Sequence, residues 1–264
     1  MNAKSTSASP LSRITTKSTT RPSAMFIMGP PGIGKSTLAG NIPGIVVQPF
    51  GREDTWSLLK QVDAVPADLP VLPRAKTWLE LAINLEALRC EEHDYTSVAI
   101  DTATCAETLC HEHVTDSQYA GSWEQFMAYH RGYDISLAEW SELLDKLDAL
   151  RDERSMSIIL LGHTKVAPYK NPEGEDYDRF QPDLHKKTAA ALTRWADAVL
   201  FANFYTEVED GKGKGGKSRV LYTQYSPAYD AKNRLGLPVE IDMGSSGAEA
   251  WNNLKSAIKE ARNA

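Results

Sequence analysis

The sequence is poor in cysteine, with three among 264 residues. So odd and sparse a set excludes a disulfide-stapled scaffold and indicates a reducing compartment, and we expect a cytoplasmic protein. No apolar run approaches the roughly 18–20 residues that a membrane span requires, so we expect no membrane partner. The formal net charge is −6, from 29 basic and 35 acidic residues. This balance excludes a uniformly basic coat for nucleic acid and leaves only local basic loops for such a role.

Acidic residues are missing from the first 23 positions, which hold eleven Ser or Thr and four basic residues. Such a segment buries too little apolar surface to offset its chain entropy, so we expect a disordered tail over 1–23. An organellar transit peptide has a similar composition, but it needs an apolar face, and only Leu11 and Ile14 are available. We place one domain over 24–245 and a C-terminal helix over 246–264.

Short apolar runs alternate with helical patterns after this tail. Capping boxes at Thr77 with Glu80 and at Ser136 with Glu139 predict two helix starts. Continuous apolar runs are typical of strands buried on both faces, as in a parallel sheet. The predicted fold is therefore α/β, with a mainly parallel central sheet flanked by helices. The predicted strands lie at 25–28, 45–47, 98–100, 158–161 and 198–201, and a further strand is predicted at 219–225.

A phosphate-binding loop follows the first predicted strand and precedes a helix, and it fits G-x-x-x-x-G-K-[ST] in full. Its glycines let the backbone N–H groups face a bound phosphate, and the helix N-terminus adds partial positive charge. Lys35 is expected to reach the β- and γ-phosphates, and the Ser36 hydroxyl to coordinate Mg²⁺. We therefore predict ATP and Mg²⁺ as cofactors. The loop consists of Gly29, Pro30, Pro31, Gly32, Ile33, Gly34, Lys35, Ser36 and Thr37.

A carboxylate for the same metal ion is expected at the end of a neighbouring strand. The apolar strand at 96–101 ends in Asp101, which is the Walker B pattern, and we predict Asp101 as the second Mg²⁺ ligand. The next residue is Thr102, whereas AAA+ ATPases usually have the catalytic Glu there. The chain has no N-K-x-D motif for reading guanine, which argues against a GTPase.

An ordered set of stretches resembles the RecA-like ATPases encoded by phages and prophages, including those proposed as single-strand annealing recombinases. The resemblance implies a RecA-like P-loop NTPase core and action on single-stranded DNA in recombination or strand annealing, in the cytoplasm of a bacterial host. It also implies self-association into a filament or ring, with a single-strand DNA-binding protein as a possible further partner. The stretches are 28–37, 95–102, 130–134 with the helix that follows to 154, 161–165, 171–172, 176–180, 184–187, 195–200, 227–234 and 236–238.

The same resemblance implies four further catalytic residues. Glu53 is the nearest candidate for the water-activating carboxylate, and turnover would be weak or absent if no carboxylate had that role. His163, at the end of the fourth predicted strand, is expected to sense the γ-phosphate; a buried histidine bonded to backbone is the alternative. Lys232 and Arg234 are expected to reach the γ-phosphate of a neighbouring subunit, and a pair of solvated cations is the alternative.

The segment 165–187 mixes cations with Tyr169, Tyr177 and Phe180. Rings that stack on bases and cations that meet phosphates are typical of single-stranded nucleic-acid binding. Acidic residues in the same segment leave an ordinary solvated loop as the alternative. The glycine- and lysine-rich segment 211–219 is either a DNA-binding flap or a hairpin tip. The predicted DNA-binding residues are Lys165, Lys170, Arg179, Lys186 and Lys187.

Two other functions remain open on the sequence: a P-loop kinase for a small molecule, and a nucleotide-binding assembly factor with little turnover. Two features argue against a kinase: the segment around Lys232 and Arg234, and the lack of an evident arginine-rich lid. Cys105, Cys110, His111 and His113 are close in sequence, but they form no C-x-x-C or H-x₃-H pair, so core packing is favoured over a zinc site.

Overall fold

The computed structural model describes residues 21–50, 55–209 and 212–263. Most of the predicted tail, residues 1–20, lies outside this range. The helices are α1 Lys35–Gly40, α2 Thr55–Gln61, α3 Trp78–Cys90, α4 Ala103–Tyr119, α5 Trp123–Met127, α6 Arg131–Glu153, α7 Lys186–Trp195 and α8 Gly247–Asn263. The strands are β1 Ala24–Gly29, β2 Ile45–Pro49, β3 Ser97–Asp101, β4 Ser157–Tyr169, β5 Tyr177–Pro182, β6 Ala198–Glu209, β7 Lys212–Tyr222, β8 Lys232–Asn233 and β9 Glu240–Asp242.

One sheet organises the domain, in the order β2-β3-β4-β1-β6-β7-β9. The first five strands of this order run parallel, and β7 and β9 add an antiparallel edge. The predicted α/β fold with a mainly parallel sheet is confirmed. Strand β4 lies between β1 and β3, so the end of β4 reaches the sheet edge between the phosphate loop and Asp101.

The fourth strand is much longer than the apolar run at 158–161 predicted. Beyond His163 it leaves its parallel neighbours and pairs antiparallel with β5, from Thr164 with Pro182 to Tyr169 with Tyr177. The prediction of a loop over 165–187 is therefore wrong for most of the segment. These residues form a hairpin and the start of α7, which their mixed polar and apolar composition did not indicate.

A second hairpin joins β6 to β7. The strand predicted at 219–225 begins earlier, at Lys212, and ends at Tyr222. The backbone of residues 212–219 is an arm of this hairpin. Gly211 lies outside the described residues, and the question of a DNA-binding flap therefore stays open.

The two capping boxes have different outcomes. Thr77 caps α3, because its hydroxyl accepts a hydrogen bond from the Glu80 N–H at 3.1 Å. Ser136 does not begin a helix: α6 already starts at Arg131, and the Ser136 hydroxyl donates to the Gly132 carbonyl inside it. A Ser followed by Glu three residues later therefore predicted one true and one false helix start.

Helices cover both faces of the sheet. On one face α3, α4 and α6 bury Leu85, Cys110 and Trp140 against β1, β3 and β4. On the other face α1 and α8 pack together, and Leu254 of α8 joins the same core cluster as Ile27 of β1. The C-terminal helix is thus packed into the same domain as the sheet. In the described part of the chain, no helix is long and apolar enough to cross a membrane.

Candidate nucleotide-binding site

The phosphate loop has the backbone conformation that its glycines predict. Gly32 and Gly34 have φ angles of 77° and 104°, a region that favours glycine because it has no Cβ. Gly29, where β1 ends, lies so close to β6 that a Cβ would overlap the Ala202 carbonyl oxygen. The loop then enters α1 at Lys35, with the free N–H groups of the first helical turn directed at the site.

Lys35 is buried and folded over the loop. Its Nζ donates to the carbonyl oxygens of Gly29 at 2.8 Å and Pro30 at 2.9 Å. Burial lowers the pKa of Lys35 to about 8, although the Asp101 carboxylate acts in the opposite direction. The negative charge of a bound phosphate would favour the charged ammonium and raise this pKa again.

Asp101 and Ser36 lie in contact, as a shared metal site requires. The Ser36 hydroxyl is 3.0 Å from Asp101 Oδ2. Burial raises the pKa of Asp101 above its usual value. Hydrogen bonds from Ser36 and the Trp56 indole, and the charge of Lys35, oppose this rise without cancelling it. A hydroxyl and a carboxylate are oxygen donors of the kind that Mg²⁺ prefers. The Ser36 hydroxyl and the Asp101 carboxylate therefore fit Mg²⁺ as ligands. A bound Mg²⁺ would neutralise negative charge on the phosphates of the nucleotide.

A cavity of about 630 Å³ opens beside the loop. Its volume is in the range of small-molecule sites. Phe50 and Thr55, which flank residues 51–54 on both sides, line it. Glu53 lies outside the described residues, so its role in activating water stays a prediction. Other lining residues are Pro31, Gly32, Gly34, Lys35, Ser36, Thr37, Pro49, Trp56, Leu59, Asp101, Thr102, Cys105 and His163.

His163 reaches this cavity from the end of β4, between the phosphate loop and Asp101. Its backbone N–H donates to the Thr104 hydroxyl at 3.4 Å, and its carbonyl accepts from the Asp183 N–H at 2.8 Å. The side chain is half-buried. The structure thus brings His163 to the candidate site, and sensing of the γ-phosphate stays a prediction.

Comparison with known proteins identifies the domain. A family model described as "AAA domain" matches residues 21–235. The chain belongs to the AAA domain family. A crystal structure of the RadB recombinase is similar to it, with 13% identity, 76% of this chain and 80% of that chain covered, and a TM-score of 0.45. No match is found among curated proteins.

Arg219 is a residue of this AAA domain that sequence reasoning missed. It extends from β7 to the phosphate loop, where its Nη1 lies 3.4 Å from the Ile33 carbonyl oxygen. Its Nη2 donates to the Gly244 carbonyl at 2.8 Å, just before α8. The guanidinium therefore joins the loop to the entry of the C-terminal helix. No sequence motif surrounds Arg219. A cation within a predicted strand was the only feature of the sequence that pointed to it.

Lys232 and Arg234 have different environments in the AAA domain. The Lys232 ammonium donates to three carbonyl oxygens at the end of α7, those of Thr193, Arg194 and Ala196. A cation there satisfies the last carbonyls and the helix dipole. Lys232 thus has a structural task within its own chain, which speaks against its reaching a neighbour. Arg234 is exposed.

Arg179 must be removed from the predicted DNA-binding set. Its side chain is buried, pairs with Asp230 at 2.6 Å and lies between the rings of Tyr169 and Tyr225. Phe180 packs on Phe201. The prediction of hairpin rings free to stack on bases is wrong for Phe180, because the fold uses that ring in its own packing.

The four lysines of the predicted set are nearer the surface. Lys165 pairs with Asp183 at 3.2 Å, and Lys187 pairs with Asp134. Lys170 and Lys186 are exposed. These four residues are the part of the set that solvent, and thus a strand of nucleic acid, can reach.

The cysteines and histidines of α4 form no metal site among the described residues. Cys110 is buried, and its thiol donates to the Ser136 carbonyl. His111 packs against the rings of Phe126 and Tyr133, and burial lowers its pKa to about 4. Core packing, which the sequence favoured over zinc, is the arrangement seen for both residues.

Proposed function

We propose that this AAA domain is a Mg-ATP-dependent ATPase that acts on single-stranded DNA in phage-type recombination or strand annealing. The observation that carries the proposal is the course of β4. This single strand takes His163 into the nucleotide cavity and then continues as the first arm of the hairpin that bears Lys165 and Lys170. A change at the γ-phosphate would therefore act on the hairpin through a rigid, continuous element.

A second connection runs through Glu107. Its helix, α4, begins just after Asp101, with Thr102 as the cap. Both carboxylate oxygens of the buried Glu107 accept from the His185 N–H, at 3.0 and 2.9 Å, at the start of α7. Since α7 begins with Lys186, β3, which ends in Asp101, is joined to the start of α7 by one helix and one buried carboxylate.

The proposed DNA surface consists of Lys165, Lys170, Lys186 and Lys187. Because the whole chain is acidic and two of these lysines are already paired, we expect modest affinity with a shallow dependence on salt. Lys170 and Lys186 are the better test pair, since reversing Lys187 would also break its contact with Asp134 on α6.

Binding of a labelled single-stranded oligonucleotide tests the proposal, measured by anisotropy with Mg-ATP at low salt. We expect Lys170→Glu/Lys186→Glu to weaken binding at least about fivefold, because two phosphate contacts become repulsive. Lys76→Glu/Lys146→Glu is the charge-matched control on the α3 and α6 side of the molecule and should bind normally. Wild-type protein that fails to bind even at low salt would refute the proposal.

Within this function we assign Glu53 the activation of water and Arg234 a contact with the neighbouring γ-phosphate. The second assignment requires assembly into a filament or ring. A single-strand DNA-binding protein is the further partner that the proposed activity suggests. Transfer of phosphate to a metabolite, or ATP binding without turnover, would instead support the kinase or the assembly factor.

A further inference from the structure

A second groove, of about 600 Å³, lies at the sheet edge opposite the nucleotide cavity. It is lined by the amino ends of β1, β3 and β4, through Met25, Ser97 and Ser157, and by one face of α8. The phosphate loop follows the carboxyl end of β1, so the length of the parallel strands separates the two sites. A ligand in this groove would not touch the nucleotide.

The rim of the groove is strongly cationic. Lys255, Lys259 and Arg262 are spaced by four and three residues on α8, so they share one helix face. All three are exposed. Arg21 stands on the other side and pairs with Asp148 and Asp152 of α6. Among the described lining residues four are cations and none is a carboxylate, although the chain as a whole carries a net charge of −6.

The floor is apolar. Met25, Ile42 and Ile159 are buried there, and the half-buried Trp251 and Ile258 of α8 form a wall. An inorganic anion has no apolar group that could pack against this floor. A ligand that carries negative charge together with an apolar side chain matches both parts of the groove.

We propose that this groove binds an acidic peptide segment of a partner protein, with an apolar side chain on the floor and carboxylates against Lys255, Lys259 and Arg262. The chain's own residues 1–20 do not suit the groove, because they carry three cations and no acid. A nucleic-acid strand supplies phosphates but no aliphatic side chain for Met25 and Ile159.

Binding of a fluorescein-labelled peptide in which aspartates flank a leucine tests the site, measured by anisotropy with the full chain. Lys255→Glu/Lys259→Glu should weaken binding at least about tenfold, because two attractive charges become repulsive. Lys76→Glu/Lys146→Glu, outside the groove, should bind as the wild type does. Replacing the peptide's leucine with serine should also reduce affinity, since the floor then loses its apolar partner.

Three results would overturn the proposal: no peptide binding by the wild type at low salt, equal binding by the Lys255/Lys259 variant, or displacement of the peptide by a single-stranded oligonucleotide that binds more tightly.

Discussion

Arg219 holds the phosphate loop from outside: its Nη1 lies 3.4 Å from the Ile33 carbonyl oxygen, next to Gly34. The other end of the guanidinium is fixed by Gly244 at 2.8 Å. The loop is therefore braced by a residue from β7, although the proposed nucleotide ligands come from β1, α1 and β3. A fork-shaped cation can bridge two carbonyls in this way, whereas an ammonium provides only a point charge.

Replacement of Arg219 should loosen the loop. Arg219→Gln is expected to weaken Mg-ATP binding about three- to tenfold, because one or two bonds that hold the loop in its phosphate-binding shape are lost. Arg219→Lys keeps the charge but not the fork, so an intermediate loss is expected. Calorimetric titration with Mg-ATP measures the effect. Equal affinities for all three proteins would show that the contact does not order the loop.

The pKa of Lys35 makes nucleotide affinity depend on pH. In the free protein burial lowers this pKa to about 8. Bound phosphates favour the charged form, so the pKa rises in the complex and binding takes up a proton above pH ~8. Affinity for Mg-ATP should thus fall as the pH rises from about 8 to 9.5. Lys35→Arg, charged throughout this range, is the control. A flat wild-type profile would contradict the assignment.

Asp101→Asn should separate binding from turnover. The amide fills the same space but cannot neutralise Mg²⁺, so hydrolysis should fall about a hundredfold while nucleotide affinity without metal changes little. Phosphate release and calorimetry give the two quantities. The exposed Asp94→Asn is the matched control. Unchanged turnover in the Asp101 variant would remove this carboxylate from the metal site.

Arg234 should act across a subunit interface. Alone, Arg234→Ala and Lys35→Ala should each be nearly inactive, since cations of this kind can contribute roughly 10³–10⁵ in rate. Mixing them should restore part of the activity, because some interfaces then combine an intact loop with an intact Arg234. Mixing Lys35→Ala with Asp101→Asn is the control, since no interface is then complete. A mixture without rescue, and a rate per subunit independent of concentration, would refute action in trans.

Local features of the sequence predicted the site's centre well. The phosphate loop is contiguous, and its glycines have backbone angles that few other residues adopt, so Gly32 and Gly34 could be read directly. Apolar runs predicted the five parallel strands, because strands buried on both faces need continuous apolar residues. Asp101 followed from its place at the end of such a strand.

Long-range partners of charged residues could not be predicted in the same way. Arg219 is 186 positions from Ile33, and nothing near it in sequence indicates the contact. Arg179 and Lys232 look like free cations, yet Asp230 and the end of α7 engage them. A cation's partner depends on which distant element the fold brings close, and sequence spacing does not contain that information.

ATP hydrolysis with and without single-stranded DNA is the decisive measurement for the proposed function. We expect the wild-type rate to rise at least several-fold with DNA, and we expect Lys170→Glu/Lys186→Glu to keep the basal rate but lose the rise. Lys76→Glu/Lys146→Glu should retain both. A wild-type rate that is the same with and without DNA, under conditions in which Mg-ATP binds, would contradict the proposed link between the nucleotide cavity and the hairpin.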